Sequence, residues 1–373
     1  MKFRSKLFQV SDPFDTEGTD SLFAEAVQEN CRFQYENCPE YRKILDYYGF
    51  SWSEIQSCED LSHLPFLPTM LFKSHRLLSF PENRRLLWVT SSGTKGKFSR
   101  IPFDAGSLLC GLRMVWKIAA WRGLLSPVPV NYIVLGYQPH RDNHTGVAKT
   151  AFGATLFTPA LSRTYALQYY NGRYTVDLQG VISAVEKHSR SHFPVRFMGF
   201  PAYAWFLLKS MEEQGRKVKL PKGSKLMLGG GWKQFYTQQV EKEVFYALAE
   251  NILGIADTDI VEFFGAVEHP VLYCDCKNHH FHVPAYSRVI IRDVHTLKPV
   301  EYGTLGLVNL ITPMVKAAPL VSVMTDDLGI LREGSHCGCG IHSPYLEIVG
   351  RIGLKEIKTC AAGAAEFLSR MDF

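Results

Sequence analysis

The chain has 373 residues, 46% hydrophobic and 21% charged, with 41 Lys and Arg against 36 Asp and Glu for a net charge of +5. This is the composition of an ordinary soluble globular protein, long enough for one large α/β domain or two smaller ones. It excludes a membrane span, because no apolar run is long enough, and a nucleic-acid-binding arm, because the small basic excess is spread along the chain.

The opening MKFRSKLFQVSDPFD has basic residues but no apolar segment of signal-peptide type. The nine cysteines are therefore expected as reduced thiols in the cytoplasm, holding metal or doing chemistry, and not as a disulfide framework. Residues 19–60 read as helical, with Leu22, Phe23, Ala26 and Val27 at helical spacing. Leu64-Pro65-Phe66-Leu67-Pro68 breaks that stretch. A short strand over 86–89 feeds into Thr90-Ser91-Ser92-Gly93-Thr94-Lys95-Gly96-Lys97, and a helix is expected over 107–121. Further strands over 132–136, 195–199 and 225–228 alternate with helices over 178–189, 201–214 and 233–250. Such alternation implies α/β architecture, a mostly parallel sheet covered by helices. After about residue 260 strand-like pieces dominate (261–264, 288–292, 306–311, 320–324 and 345–349), which implies a smaller β-rich subdomain. The expected organisation is an α/β part over about 1–260, a β-rich part over about 261–350, and a short segment over 351–373.

The segment 90–97 packs four hydroxyls, two glycines and two lysines into eight residues at the end of a strand. Glycines admit backbone N–H groups to a polyphosphate, hydroxyls add donors and lysine adds charge. The pattern is not a Walker A loop, since Phe98 follows its Gly-Lys pair. Taken alone, the segment suits a solvated turn equally.

Two Cys-x-Cys pairs stand out: Cys274-Asp275-Cys276, followed by His279, His280 and His282, and Cys337-Gly338-Cys339. Soft thiolates with imidazole at turn-forming spacing suit tetrahedral zinc. Two buried loops of reduced thiols without metal are the alternative. The aromatics of 192–206 with Trp232 and Phe235 suit an apolar acyl chain or a packed core.

Four segments in order carry a family resemblance. The loop 90–97 resembles the phosphate loop of the adenylate-forming superfamily, and Phe264-Gly265-Ala266-Val267-Glu268 its aromatic-Gly-x-x-Glu motif. Met324-Thr325-Asp326-Asp327-Leu328-Gly329 resembles its T-G-D-L-G motif, with Asp326 where glycine is usual, and Gly350-Arg351 resembles its hinge. Within that superfamily the chain looks like the acyl-protein synthetases of the LuxE type and, next, like phenylacetate–CoA ligases. The segments 64–68 with Phe72-Lys73, Leu228-Gly229-Gly230-Gly231-Trp232-Lys233, and His282-Val283-Pro284 support this.

The resemblance implies an adenylate-forming core with most of the mobile C-terminal domain absent. It implies an acid–thiol ligase that uses ATP and Mg²⁺ to form an acyl-adenylate from a fatty or other apolar carboxylic acid. The acyl group then passes to a cysteine thiol and to a partner, an acyl-CoA-reductase-like protein or a carrier protein. Thr90, Ser91, Ser92, Gly93, Thr94 and Lys95 would hold phosphates, and Glu268 would bind Mg²⁺. Gly229, Gly230 and Gly231 would lie beside adenine, and Asp327 with Arg351 would hold the ribose. Cys360 would carry the acyl group. Zinc would be structural, on Cys276, His282, Cys337 and Cys339, with a Cys₄ set that uses Cys274 as the competitor. The superfamily's catalytic lysine lies in the absent part, so the resemblance implies that Lys95, Lys233, Arg351 or Mg²⁺ supplies its charge, or that adenylation is slower. An acyl- or aryl-CoA ligase, and an inactive nucleotide-binding subunit of a reductase complex, are the alternative functions.

Overall fold

A computed structural model describes residues 2–81, 84, 86–91, 98–140, 153, 155–156, 158–232, 235 and 238–351. Two compact units emerge, one formed by residues 1–118 with 265 onward, the other by 119–264.

The first unit begins with helices α1 (Lys2–Leu7), α2 (Asp20–Asn37) and α3 (Pro39–Tyr47). In α2 the buried side chains Phe23, Ala26, Val27, Asn30 and Gln34 recur at helical spacing and form its inner face. Two of them are amides, and their bonds show what the helix packs on. Asn30 Nδ2 donates to the carbonyls of Pro313 and Val315, both at 2.9 Å, and Gln34 Nε2 donates to Lys316 O at 3.2 Å. Buried amides need partners, and here the partners are backbone groups nearly three hundred residues away in the chain. The Pro-rich segment read as a helix breaker supplies β1 (Leu67–Pro68), which pairs in parallel with Val323 and Met324. Short helix α4 (Leu71–Ser74) follows, then strands β2 (Leu87–Thr90) and β3 (Arg100–Phe103), which pair antiparallel. Helix α5 (Ala105–Trp121) carries the chain into the second unit.

In that unit the strands are β4 (Val130–Tyr137), β5 (Ala160–Tyr170), β6 (Arg173–Val176), β7 (Val195–Gly199), β8 (Lys225–Gly229) and β9 (Ile260–Ala266), the last running on across the unit boundary. They lie in the order β9-β8-β7-β4-β5-β6, parallel except for the β5–β6 hairpin. Helices α6 (Leu178–Ser189), α7 (Pro201–Glu213) and α8 (Lys242–Leu253) bury apolar faces against them in one core that includes Ile133, Val185, Phe197, Leu208 and Ile252. Each helix has a readable terminus. Asp177 caps α6 by accepting from Gly180 N–H at 2.9 Å, proline opens α7, and Gly254 at φ +67° closes α8. Of the helix expected over 233–250, α8 accounts for the part from Lys242 onward. The long strand β5 carried no clean alternation in sequence and was not anticipated; its burial is correspondingly irregular.

One glycine is indispensable to this sheet. Gly199 ends β7 at φ +153°, and a Cβ there would stand 2.2 Å from the carbonyl oxygen of Leu135 on β4. Gly199→Ala is expected to lower stability by more than about 1 kcal/mol, read as a drop in the denaturant midpoint. An unchanged midpoint would show that β4 and β7 yield easily.

The chain returns to the first unit with β10 (His269–Cys274), β11 (Phe281–His282), β12 (Arg288–Arg292), β13 (Leu305–Ile311), β14 (Ser322–Arg332) and β15 (Tyr345–Arg351). Strands β11-β15-β14-β13-β12 form an antiparallel sheet, with β1 joined in parallel to β14. The β-rich character expected here is present, and the mixed α/β fold follows the expected class. Among the described residues no disulfide is formed, and no helix is long and apolar enough to cross a membrane.

Candidate active site and metal centre

The nucleotide-binding candidates are divided between the two units. In the first, the hairpin of β2 and β3 forms the neck of the hydroxyl-rich loop. Ser91 N–H donates to Ser99 O at 3.0 Å, and Ser99 N–H donates to Ser91 Oγ at 2.9 Å. These two bonds close the base of the loop. Ser92, Gly93, Thr94 and Lys95 of that loop lie outside the described residues, as does Lys233.

The T-x-D-L-G segment lies inside a strand. Strand β14 runs through it from Ser322 to Arg332, paired on one side with β13 and on the other with β15, with a register irregularity at Leu328/Gly329. Its length follows from having partners on both edges, which the sequence alone does not reveal. Asp327 faces Arg351 across the β14–β15 ladder, and Arg351 Nε lies 3.7 Å from Asp327 Oδ1. Arg351 Nη2 is also 3.6 Å from Asp326 Oδ2, and Lys73 Nζ is 3.7 Å from the same oxygen. Two carboxylates and two cations therefore meet at one place. Lys73 reaches it because β1 pairs with β14 at Val323 and Met324, and Thr69 N–H then donates to Met324 O at 3.0 Å, just before α4. Sequence reasoning noted Lys73 within the Pro-rich segment's motif but gave it no role; the signal that could have found it is the unusual Asp326, an extra charge that needs a partner.

Glu268 is almost fully buried and lies in the short connection between β9 and β10. Its neighbour His269 is also buried, and burial draws that imidazole down to about 3, so it is neutral. Ser287 Oγ lies 3.0 Å from His269 Nε2 and 2.7 Å from Tyr273 Oη, a polar network that anchors the residue beside Glu268.

In the second unit Gly229 ends β8, and Gly230 and Gly231 follow at φ +81° and +65°. The backbone here makes a turn that side-chain-bearing residues rarely adopt. It lies at the C-terminal end of a parallel strand, where ligands bind in open α/β sheets. Phe235 beyond it meets Phe206 and Tyr203 of α7 with ring centroids 5.0 and 6.1 Å apart.

The metal candidates all belong to the first unit. The ligand atoms of Cys276, His282, Cys337 and Cys339 lie within 4.8 Å of one another. Cys276 Sγ is 3.5 Å from Cys337 Sγ, and Cys339 Sγ is 3.2 Å from His282 Nε2. A tetrahedral zinc with bonds of about 2.3 Å to sulfur and 2.0–2.1 Å to nitrogen has edges of about 3.5–3.8 Å, close to what is found. Cys274, the alternative ligand, is buried on β10 outside this group. The supporting contacts suit a metal. His282 Nδ1–H donates to Ser343 O at 2.7 Å, which leaves Nε2 as the atom with a free lone pair. Asn278 N–H points to Cys276 Sγ at 3.3 Å and Ile341 N–H to Cys339 Sγ at 3.4 Å. Gly338 and Gly340, at φ +69° and +97°, turn the second pair back on itself. Burial pushes the Cys337 thiol up to about 12, and a metal ion favours the thiolate form of its cysteine ligands.

A sheet-bearing α/β fold with these motifs defines an adenylate-forming ligase. In agreement, a crystal structure of 2-hydroxyisobutyryl-CoA ligase with 2-HIB-AMP shares the fold, with a TM-score of 0.69 over 92% of this chain and 70% of that one at 16% identity. The model of the family described as Acyl-protein synthetase, LuxE, matches residues 4–369, and the chain belongs to that family. It is 24% identical over 354 residues to the long-chain-fatty-acid–luciferin-component ligase of Vibrio harveyi, covering 92% of this chain and 88% of that protein. It is also 23% identical to the phenylacetate-coenzyme A ligase of Thermus thermophilus, over 89% of this chain and 70% of that one. The protein is thus a ligase that activates a carboxylic acid as its adenylate.

Proposed function

We propose that this ligase activates a fatty acid with ATP and hands the acyl group to a cysteine thiol for delivery to a protein partner, a reductase or carrier. The observation that carries the nucleotide part is the meeting of Asp327 with Arg351 beside the Asp326–Lys73 pair. The fatty acid follows from the long-chain substrate named for the Vibrio harveyi relative, and the aromatic cluster of Tyr203, Phe206 and Phe235 offers an apolar wall for it.

In this reading the acid's carboxylate oxygen attacks the α-phosphorus of ATP, and pyrophosphate leaves. Asp327 accepts from the ribose hydroxyls and fixes the sugar. Arg351, held by both carboxylates, assists Asp327 at the ribose. Lys73 neutralises Asp326, which would otherwise repel the triphosphate. Thr90–Lys95 cradle the departing phosphates, and Gly229–Gly231 admit the adenine. Glu268 would hold Mg²⁺, whose charge balances the leaving pyrophosphate. Cys276, His282, Cys337 and Cys339 would hold zinc with four protein ligands, and such an ion would be structural, clamping the β11–β15 end of the antiparallel sheet.

Acid-dependent ATP–pyrophosphate exchange tests the first half-reaction. Asp327→Ala is expected to weaken ATP binding by about 1.5–3 kcal/mol, the worth of hydrogen bonds to a charged acceptor, or roughly ten- to a hundredfold in Kd. ATP affinity equal to the wild type would remove Asp327 from the nucleotide site. Saturation with free coenzyme A as acyl acceptor would favour a CoA ligase instead.

A further inference from the structure

Arg292, at the end of β12, is the feature that neither the nucleotide site nor the metal centre uses. It is 4% exposed. Its Nε donates to Asn309 Oδ1 at 3.0 Å, Nη1 to Leu297 O at 3.1 Å and Nη2 to Ser62 O at 2.9 Å, with the Phe66 ring 5.0 Å from the guanidinium carbon. Every acceptor is neutral. A guanidinium has five N–H groups, so these three bonds leave one hydrogen on each Nη. Burial lowers the pKa of Arg292 to about 10, and among the described residues its hydrogen-bond partners include no carboxylate. A buried cation without a counter-charge is costly unless an anion joins it.

The same arginine lines a cavity of about 460 Å³, within the range of small-molecule sites, about 300–1,000 Å³. Its walls include Tyr48, Phe50 and Phe66, with His63 as a further polar group. The one carboxylate on the lining, Glu54, accepts from Ser51 N–H at 2.7 Å in its own capping box and is used there. The Pro-rich segment 64–68 thus acquires a chemical surface: Leu64, Pro65 and Phe66 line the cavity.

We propose that this cavity binds a small organic anion, its charged group against Arg292 and its apolar body on the aromatic wall. The planar fork of a guanidinium matches the oxygens of a carboxylate, sulfonate or phosphate, and the aromatic rings favour an anion that carries a ring or short chain over a bare inorganic ion. The site lies wholly in the first unit and uses none of the residues assigned to adenylation.

Calorimetric titration with phenylmethanesulfonate, which forms no adenylate, tests the proposal. The acid and nucleotide positions are first filled with an acylsulfamoyl-adenosine. Binding of that analogue is measured separately, so a failure of the adenylation reading is seen on its own. The wild type is expected to bind one phenylmethanesulfonate per chain, about tenfold more tightly than inorganic sulfate. Arg292→Gln should abolish the binding. Tyr48→Ser, at a position 60% exposed and safe for folding, should weaken it several-fold. Should the Arg292 variant fail to fold, Tyr48→Ser and the comparison with sulfate carry the test. No saturable binding to the wild type, sulfate binding as tightly, or unchanged affinity in Tyr48→Ser would each overturn the proposal.

Discussion

Cys337→Ser is expected to yield protein without zinc and with a sharply reduced folded fraction, while the molecules that do fold keep most of their specific activity. Three buried residues, Cys276, His282 and Cys337, together with the half-buried Cys339, lie with their ligand atoms within 4.8 Å of one another although they come from two separate segments of the chain. Around Cys276, Cys337 and Tyr345 the local apolar core is small; among the described residues, Cys339 and Ile341 are the partly buried apolar ones packed against it. Apolar burial there is modest, and metal bonds must do much of the joining. Structural zinc is worth on the order of 10 kcal/mol in small peptides, so loss of one ligand should exceed the effect of any single core substitution nearby. Wild-type protein purified without added metal should carry close to one zinc per chain by elemental analysis, and a strong chelator should lower its Tm. Fully folded wild-type protein free of metal would refute the assignment. Equal losses of activity per folded molecule and of zinc would instead point to a metal that takes part in the reaction.

Cys360→Ser is expected to abolish covalent acylation completely while acid-dependent pyrophosphate exchange continues. Cys360 lies outside the described residues, and the argument for it is chemical. An acyl-adenylate needs a thiolate to attack it. Cys360 follows the Gly350-Arg351 hinge motif, with Lys355 and Lys358 close in sequence to favour the thiolate. The buried thiols elsewhere are poorly suited: burial pushes Cys31 up to about 12 and Cys38 up to about 11, so neither supplies a nucleophile. Incubation with ATP and radiolabelled fatty acid should label the wild type, and neutral hydroxylamine should remove the label as from a thioester. A hydroxylamine-sensitive adduct on Cys360→Ser would place the acceptor elsewhere, and direct transfer to coenzyme A or a carrier protein would then be the better reading.

Much of the candidate chemistry could be read along the chain because the atoms concerned are near neighbours in it. The loop Thr90–Lys97 concentrates hydroxyls and charge, Gly229–Gly231 marks a backbone that must turn sharply, and each Cys-x-Cys pair presents two thiols at turn spacing. The alternation of strands and helices between residues 130 and 264 was equally plain, since a parallel sheet demands buried apolar strands separated by amphipathic helices. Strand β5 escaped notice because its burial is irregular along its length. The extent of β14 escaped notice because a D-D-x-G segment has the chemistry of a turn.

What the sequence determined by itself was therefore the class of fold and the local donors. What only the tertiary structure decided was who meets whom. The first 118 residues join those from 265 onward because α2 spends its buried amides on the carbonyls of residues 313–316. Lys73 meets Asp326 because Leu67 and Pro68 pair with Val323 and Met324. His282 presents Nε2 to its cysteines because Ser343 takes its Nδ1–H. Each of these contacts ends on a backbone group or depends on a strand pairing made by backbone groups. Those groups are the same in every residue but proline, so no residue pattern marks the partner, and the choice is made only when the distant segments are buried together.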